Sequence, residues 1–126
     1  MVLVRVRVES DQKRPDLMVV DLLPAGLELE NENLASGAQA SDWIIQGRTL
    51  AEREGKTTIL HREYRDDRFV AALSLRRKQK AEIFYLARAV TPGTYLNPAP
   101  FVEDMYDPEV YGIGQTPSTL VIKAQQ

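Results

Sequence analysis

The chain has 126 residues, of which 44% are hydrophobic and 27% charged, a composition typical of one globular domain. Its 16 basic and 18 acidic residues leave a net charge of -2, without the basic surplus that nucleic-acid binding requires. There is no cysteine, which excludes disulfides, zinc–thiolate sites and a cysteine nucleophile within this chain. No apolar stretch approaches the ~20 residues of a membrane span, so we expect no direct membrane insertion.

The first thirty positions predict three strands. Valines at every second position of residues 2–8 give the period-2 pattern of a strand with one apolar face. A nearly continuous apolar run at residues 17–23 stops at the proline and glycine of residues 24–26, which favours a buried strand. Leucine and glutamate alternate over residues 27–30, which predicts a short edge strand.

The middle of the chain is harder to interpret. Residues 31–55 show no clear period, although Ser41 is placed to cap a short helix through Trp43, Ile44 and Ile45. Residues 57–64 alternate like another strand.

Two central strands are predicted next. Residues 69–75 and 82–90 are rich in aromatic and branched side chains, which favours strands. The basic run of residues 76–80 lies between them and predicts a hairpin tip in solvent rather than a phosphate- or lipid-binding patch.

The last quarter predicts a long loop and one strand. Residues 92–118 hold five of the seven prolines and show no sustained period, which is typical of a functional or irregular segment. Residues 119–123 predict the final strand. About seven short strands favour an all-β fold, an antiparallel β-sandwich of the immunoglobulin-like kind, formed by residues 1–126 as a single domain.

Catalytic chemistry finds little support in the sequence. The one histidine, His61, lies in a predicted strand without a G-x-S-x-G motif, so we expect it to face solvent or meet a carboxylate. We predict that the chain is not an enzyme and has no catalytic residue. A small hydrolase that uses His61 is the remote alternative.

Four carboxylates of the long loop could in principle bind calcium. Glu103, Asp104, Asp107 and Glu109 lie close together in the sequence, but the glycine and spacing of an EF-hand are missing. Acidic residues also collect in loops because they are well solvated. We predict no metal and no cofactor.

The same loop is rich in large apolar side chains. Tyr95, Phe101, Met105, Tyr106 and Tyr111 stand among its prolines. Such side chains either pack back on their own domain or anchor it to another surface. Phe101 and Tyr111 are therefore interface candidates.

Four segments resemble motifs of one family. Residues 20–26 resemble D-L-L-P-A-G, residues 63–72 resemble E-x-R-[DE]-D-R, residues 87–93 resemble R-A-V-T-P-G, and residues 104–109 resemble D-M-Y-x-P-E. They occur in family order and span most of the chain, although residues 31–58 match no motif. The chain thus resembles the C-terminal macroglobulin-like domain of the bacterial alpha-2-macroglobulins, the counterpart of the receptor-binding domain of the animal proteins.

The resemblance implies a role within a larger protein. The parent would be a broad-spectrum protease inhibitor of bacterial defence, periplasmic and usually anchored to the inner membrane as a lipoprotein. A protease cleaves its bait region, the molecule rearranges, and a reactive thioester bonds the protease. Since this chain has no cysteine, the thioester would lie elsewhere in the parent. The implied partners are the other domains of the parent, especially a thioester domain, and target proteases through the parent.

The resemblance also assigns roles within the loop. Met105 and Tyr106 lie where the family's thioester-shielding side chains are expected, and without a thioester they would only dock a neighbouring domain. Alternatively, residues 104–109 are a turn that fixes the loop on its own domain. A different class of function is also open, namely a free-standing sandwich that binds a carbohydrate or cell-wall ligand on an aromatic platform containing Trp43.

Overall fold

The computed structural model describes residues 1–30, 44–45, 47–49, 52, 54 and 57–124. Within those residues the chain forms twelve β-strands. In chain order they are β1 (Val2–Glu9), β2 (Arg14–Leu22), β3 (Leu27–Leu29), β4 (Ile44–Ile45), β5 (Arg48–Thr49), β6 (Thr58–Tyr64), β7 (Arg68–Leu75), β8 (Lys80–Ala89), β9 (Gly93–Leu96), β10 (Phe101–Asp104), β11 (Asp107–Ile113) and β12 (Thr119–Ile122).

The strands form two main sheets that pack face to face. The larger sheet has the order β11-β10-β2-β7-β6 and the smaller one the order β1-β8-β3, and neighbouring strands are antiparallel throughout. Two small sheets, β12-β9 and β4-β5, complete the described part. The predicted all-β antiparallel sandwich is confirmed. The strand count exceeds the prediction because several strands have only two to four residues.

The hydrophobic core lies between the inner faces of the two main sheets. Every second residue of β7 is buried, the period-2 pattern of a strand with one inward face, and most of β8 is buried. Phe69 of β7 and Tyr85 of β8 stack across the gap with ring centroids 4.5 Å apart. Burial of one such side chain stabilises a fold by roughly 1.5–3 kcal/mol. The buried cluster consists of Val6, Val8, Leu17, Val19, Leu27, Phe69, Ala71, Leu73, Leu75, Ala81, Ile83, Tyr85 and Ala87.

Asp21 is a carboxyl group buried in these apolar surroundings. It lies on β2 of the larger sheet and accepts a hydrogen bond from the hydroxyl of Tyr85 in the smaller sheet. Burial raises the pKa of Asp21, and the hydrogen bond from Tyr85 opposes that rise. Burial also raises the pKa of Tyr85, so its hydroxyl keeps the proton that it donates. A buried polar group without a partner costs about 1–3 kcal/mol. Arrangements of the two sheets that break this bond are therefore disfavoured.

Two of the motif segments meet at one end of the sandwich. Val90 donates its N–H to the carbonyl oxygen of Gly26 at 3.0 Å, and the ring of Tyr95 lies directly against Gly26. The Tyr95 hydroxyl donates to the carbonyl oxygen of Thr91 at 2.8 Å. This arrangement resembles a tyrosine corner, in which a tyrosine hydroxyl bonds the backbone a few residues upstream. Position 26 therefore has no room for a side chain.

An ion pair between Arg62 and Glu54 covers the part of β8 that extends beyond its short partner β3. Glu54 accepts the N–H of Phe84 at 2.7 Å, and Arg62 of β6 donates to the carbonyl oxygen of Phe84 at 3.3 Å. Arg62 and Glu54 are themselves 2.6 Å apart. The pair therefore satisfies backbone groups that would otherwise need a further strand, and it links the edges of the two main sheets.

Two local predictions are wrong. Ile44 and Ile45 were predicted in a short helix, but they form β4, paired with β5, because β-branched side chains fit strands better than helices. The predicted cap Ser41 lies outside the described residues. The segment 92–118 was predicted to be irregular, but it contains β9, β10 and β11. Its prolines stand between these strands or, as Pro108 does, early in an edge strand, where a missing N–H is tolerated.

The remaining predicted elements are confirmed. The other predicted strands occur within a few residues of their predicted bounds. The basic run lies in the turn between β7 and β8, with Arg76, Arg77 and Lys78 exposed to solvent. The described residues include no helix that is long and apolar enough to cross a membrane.

We predict that Gly26→Ala destabilises the chain by about 1–3 kcal/mol, the usual cost of overpacking. A Cβ at this position would lie 2.7 Å from Cζ of Tyr95 and 2.8 Å from Cδ1 of Ile122. Gly112→Ala is the matched control, because its Cβ would approach only Cγ1 of Val102, at an ordinary 3.4 Å. Urea unfolding measures both variants. Equal stability of the two variants would contradict the close approach at Gly26.

The raised pKa of Asp21 predicts a pH-dependent stability. A carboxyl group with a higher pKa in the folded chain contributes fully below its unfolded pKa, and this contribution is lost as pH rises through the folded pKa. The free energy of unfolding of Asp21→Asn should therefore increase relative to wild type as pH rises from below 3.8 to neutral. Urea unfolding at a series of pH values measures this difference, with the exposed Asp66→Asn as control. A difference that stays constant with pH would contradict the raised pKa.

Candidate functional site: the β10–β11 hairpin

The β10–β11 hairpin carries most of the candidate residues from the segment that the sequence predicted to be a loop. β10 pairs with β2 on one side and with β11 on the other, so the hairpin is part of the larger sheet. Its register shifts between Glu103 and Asp104, and Asp104 then pairs with Asp107 across a two-residue turn. Met105 and Tyr106 are the two residues of that turn. The sheet thus fixes the backbone position of both residues.

Asp104 holds the turn in place. This carboxylate is 7% exposed, and its Oδ1 accepts the N–H of Tyr106 at 3.0 Å. Its Oδ2 accepts a bond from Nη1 of Arg14 at 3.4 Å, and Met105 donates its N–H to the carbonyl oxygen of Asp16 at 2.9 Å. Bonds to a charged group are worth about 1.5–3 kcal/mol each when partly buried. The turn is therefore anchored from both sides by β2 and its neighbours.

The two turn side chains point away from the domain. The Tyr106 residue is 82% exposed and Met105 is 41% exposed. Neither packs into the core cluster. Asp104 therefore fixes the turn on its own domain, and the role of Met105 and Tyr106 in shielding or docking stays a prediction. An adaptable thioether beside a rigid ring forms a small apolar tip suited to contact with another surface.

Phe101 and Tyr111 form a second apolar feature on the hairpin. Their rings stack with centroids 6.0 Å apart, and Tyr111 is 62% exposed whereas Phe101 is half-buried. Both lie on the outer face of the larger sheet. The structure therefore brings these two interface candidates together, and their role in an interface remains a prediction.

The carboxylates of the hairpin do not converge. Asp104 is buried against Arg14, whereas Asp107 and Glu109 are exposed. In the described part of the chain, no group of three histidine, cysteine or carboxylate side chains could hold a metal ion. The hairpin thus offers no calcium site.

The other candidates give no catalytic arrangement. Nε2 of His61 lies 3.1 Å from Oε1 of Glu63 on the exposed face of β6, which is the carboxylate contact expected from the sequence. Arg65 binds the same carboxylate at 2.9 Å, and these two partners lower the pKa of Glu63. Trp43, the proposed aromatic platform, lies outside the described residues.

Sequence reasoning missed two features of the hairpin. The ion pair between Arg14 and Asp104 joins residues that are 90 positions apart, and no local pattern indicates such a pair. Ile113, at the end of β11, is 67% exposed. Tyr111 and Ile113 alternate with Gly112, a period-2 pattern that could have indicated a strand, but the nearby prolines obscured it.

We predict that Asp104→Ala destabilises the chain by about 2–3 kcal/mol, because Arg14 then lies partly buried without its charged partner. Asp104→Asn is the matched control. It keeps an acceptor for the N–H of Tyr106 and removes only the charge, so it should cost less. Urea unfolding compares the two variants. Equal stability of Asp104→Ala and wild type would show that the turn does not depend on this carboxylate.

The chain is similar to one domain of larger known proteins. The model of the bacterial alpha-2-macroglobulin MG10 domain matches residues 1–109. An alpha-2-macroglobulin of Xylella fastidiosa is 49% identical over 121 residues, which is 95% of this chain and 7% of that protein.

Two solved structures share the fold. Escherichia coli alpha-2-macroglobulin activated by porcine elastase superposes with a TM-score of 0.88 at 45% identity, over 97% of this chain and 11% of that one. Salmonella alpha-2-macroglobulin reacted with methylamine gives a TM-score of 0.80 at 45% identity, over 97% of this chain and 8% of that one. The chain therefore spans a small fraction of the relatives that it matches. The expected family is confirmed, and with it the expectation of a non-enzymatic domain: the chain belongs to the bacterial alpha-2-macroglobulin MG10 domain family.

Proposed function

We propose that this chain acts as the C-terminal docking domain of a bacterial alpha-2-macroglobulin that inhibits a broad range of proteases. In this function the sandwich is a rigid support, and the hairpin tip of Met105 and Tyr106 contacts another domain of the parent. The E. coli relative that is activated by elastase supports the link to proteases. The domain itself performs no chemistry.

The exposed tip is the observation that carries the proposal. Tyr106 is 82% exposed beside a half-exposed Met105, on a turn that three hydrogen bonds and the pairing of Asp104 with Asp107 hold in place. Fixing the backbone in advance lowers the entropy lost on binding. The tip is thus preorganised for contact.

We further propose that the surface under the tip is the parent's thioester. A thioester survives in water only when an apolar cover keeps water and amines away from its carbonyl carbon. Met105 supplies a flexible apolar chain, and Tyr106 supplies a ring whose hydroxyl can stay hydrated at the rim. The Salmonella relative has been reacted with methylamine, an amine that opens thioesters, which supports this choice of partner.

The resemblance also supports a location for the parent. We propose that the parent lies in the periplasm, held at the inner membrane as a lipoprotein, where it would meet proteases that cross the outer membrane. Fractionation of cells by osmotic shock, with and without globomycin to block lipoprotein processing, tests this location. Recovery of the parent in the cytoplasm would contradict it.

We predict that Met105→Ala and Tyr106→Ala each make methylamine release thiol from the full-length parent roughly tenfold faster, since each ~1.4 kcal/mol of lost cover is a factor of ten in rate. Leu96→Ala is the matched control, because Leu96 is 81% exposed but lies on β9, away from the tip. Release is followed with a thiol-reactive dye.

Unchanged rates in both tip variants would remove the shielding role and leave docking alone. A wild-type parent that releases no thiol would have no thioester to shield, and the domain would then serve as an architectural part. The Leu96→Ala parent should release thiol at the wild-type rate.

A further inference from the structure

β11 leaves a row of backbone groups unpaired. It is the outermost strand of the larger sheet. Gly114 donates its N–H to the carbonyl oxygen of Pro100 at 2.7 Å, and hydrogen-bonded pairs alternate along an antiparallel ladder. The peptide groups of Gly112 therefore face β10, and those of Tyr111 and Ile113 point outward. Within the described part of the chain, these outward groups have no hydrogen-bond partner.

Only the first half of this edge is protected against pairing. Asp107, Pro108 and Glu109 open the strand with two charges and a residue that lacks an N–H, which are the usual guards of an edge strand. Residues 110–114 follow with no charge and no proline. The second half of β11 lacks the charges and the proline that hinder pairing in the first half, so it is open to pairing with another strand.

The side chains beside the unguarded edge are apolar on the outer face. Ile113 is 67% exposed and Tyr111 is 62% exposed. Ile113 pairs with Phe101, which pairs with Val20, which pairs with Val70, so an apolar row crosses the outer face of the sheet. A strand added at β11 would extend this row by one member and cover Ile113 and Tyr111.

The opposite side of the edge is also apolar. Beside β11, the open flank of the sandwich forms a groove lined by Val8, Val102 and Gly112. Glu9 and Glu103 also contribute to this groove. An incoming strand could place alternate apolar side chains in the groove and over Tyr111.

We propose that a strand from another domain of the parent chain adds to residues 110–113 of β11 and completes the larger sheet. The relatives are more than ten times longer than the matched segment, so most of the parent lies outside this chain. A strand within the same chain has a high effective concentration, which favours it over a second copy. This inference rests on the proposed function, because it needs the neighbouring domains, but it concerns a different surface from the tip.

Hydrogen–deuterium exchange tests the added strand. The peptide that contains residues 110–114 is compared between the full-length parent and the 126-residue chain. We expect the amides of Tyr111 and Ile113 to exchange at least roughly tenfold more slowly in the parent, because opening of a paired strand precedes exchange. Equal exchange in the two proteins overturns the proposal. Slow exchange in the short chain that depends on its concentration also overturns it, and points to a second copy.

Two substitutions in the parent separate pairing from general burial. Ile113→Pro removes one outward N–H at a position where an edge strand tolerates proline, and it should abolish the protection of Tyr111. Ile113→Val keeps the N–H and should retain it. Ile113→Lys adds a guarding charge and serves where the proline variant fails to fold. Protection of Tyr111 that survives Ile113→Lys overturns strand addition. Thiol release, measured on the same variants, should stay at the wild-type rate, which distinguishes this edge from the tip.

Discussion

The contact between Phe69, Tyr85 and Asp21 is the constraint on which the rest of the fold depends. Phe69 and Tyr85 belong to opposite sheets and stack at 4.5 Å, and the Tyr85 hydroxyl donates to the carboxyl group of Asp21. The stacked rings hold the two sheets together. The hydrogen bond fixes how the sheets are aligned, because burying the carboxyl group without this donor would cost free energy. The contact also bears on the hairpin, since β2 carries Asp21 and pairs with β10.

The position of the β10–β11 hairpin depends on this packing of the two sheets. A hairpin at the border of a fixed sheet has a rigid base, so a few polar bonds at its turn suffice to hold Met105 and Tyr106 outward. The same position leaves β11 as the last strand of the sheet in the described part of the chain. Under the two proposals, the apolar tip at the end of the hairpin and the backbone along its side would bind two surfaces of neighbouring domains.

The all-β class and most central strands could be predicted from the sequence, because β7 alternates and β8 lies between clear turns. The hairpin could not, because Pro108 and Gly112 interrupt its pattern and its burial comes from contact with β2, far away in the sequence. Ile44 and Ile45 were assigned to a helix on a weak capping pattern, against their β-branched preference. At the site, the motif resemblance located Met105 and Tyr106. Arg14 and Asp104, which anchor them, are brought together only by folding.

The central claim is that the hairpin tip is covered in the intact parent. Hydroxyl-radical footprinting tests it directly, because both tip side chains are readily oxidised and their solvent exposure sets the rate. Oxidation of Met105 and Tyr106 is measured in the 126-residue chain and in the uncleaved parent, with the exposed Leu96, which lies away from the tip, as the reference for dose. The account predicts that oxidation of both tip residues falls severalfold in the parent. Equal oxidation in the two proteins would show that the tip stands in solvent, and would contradict the account.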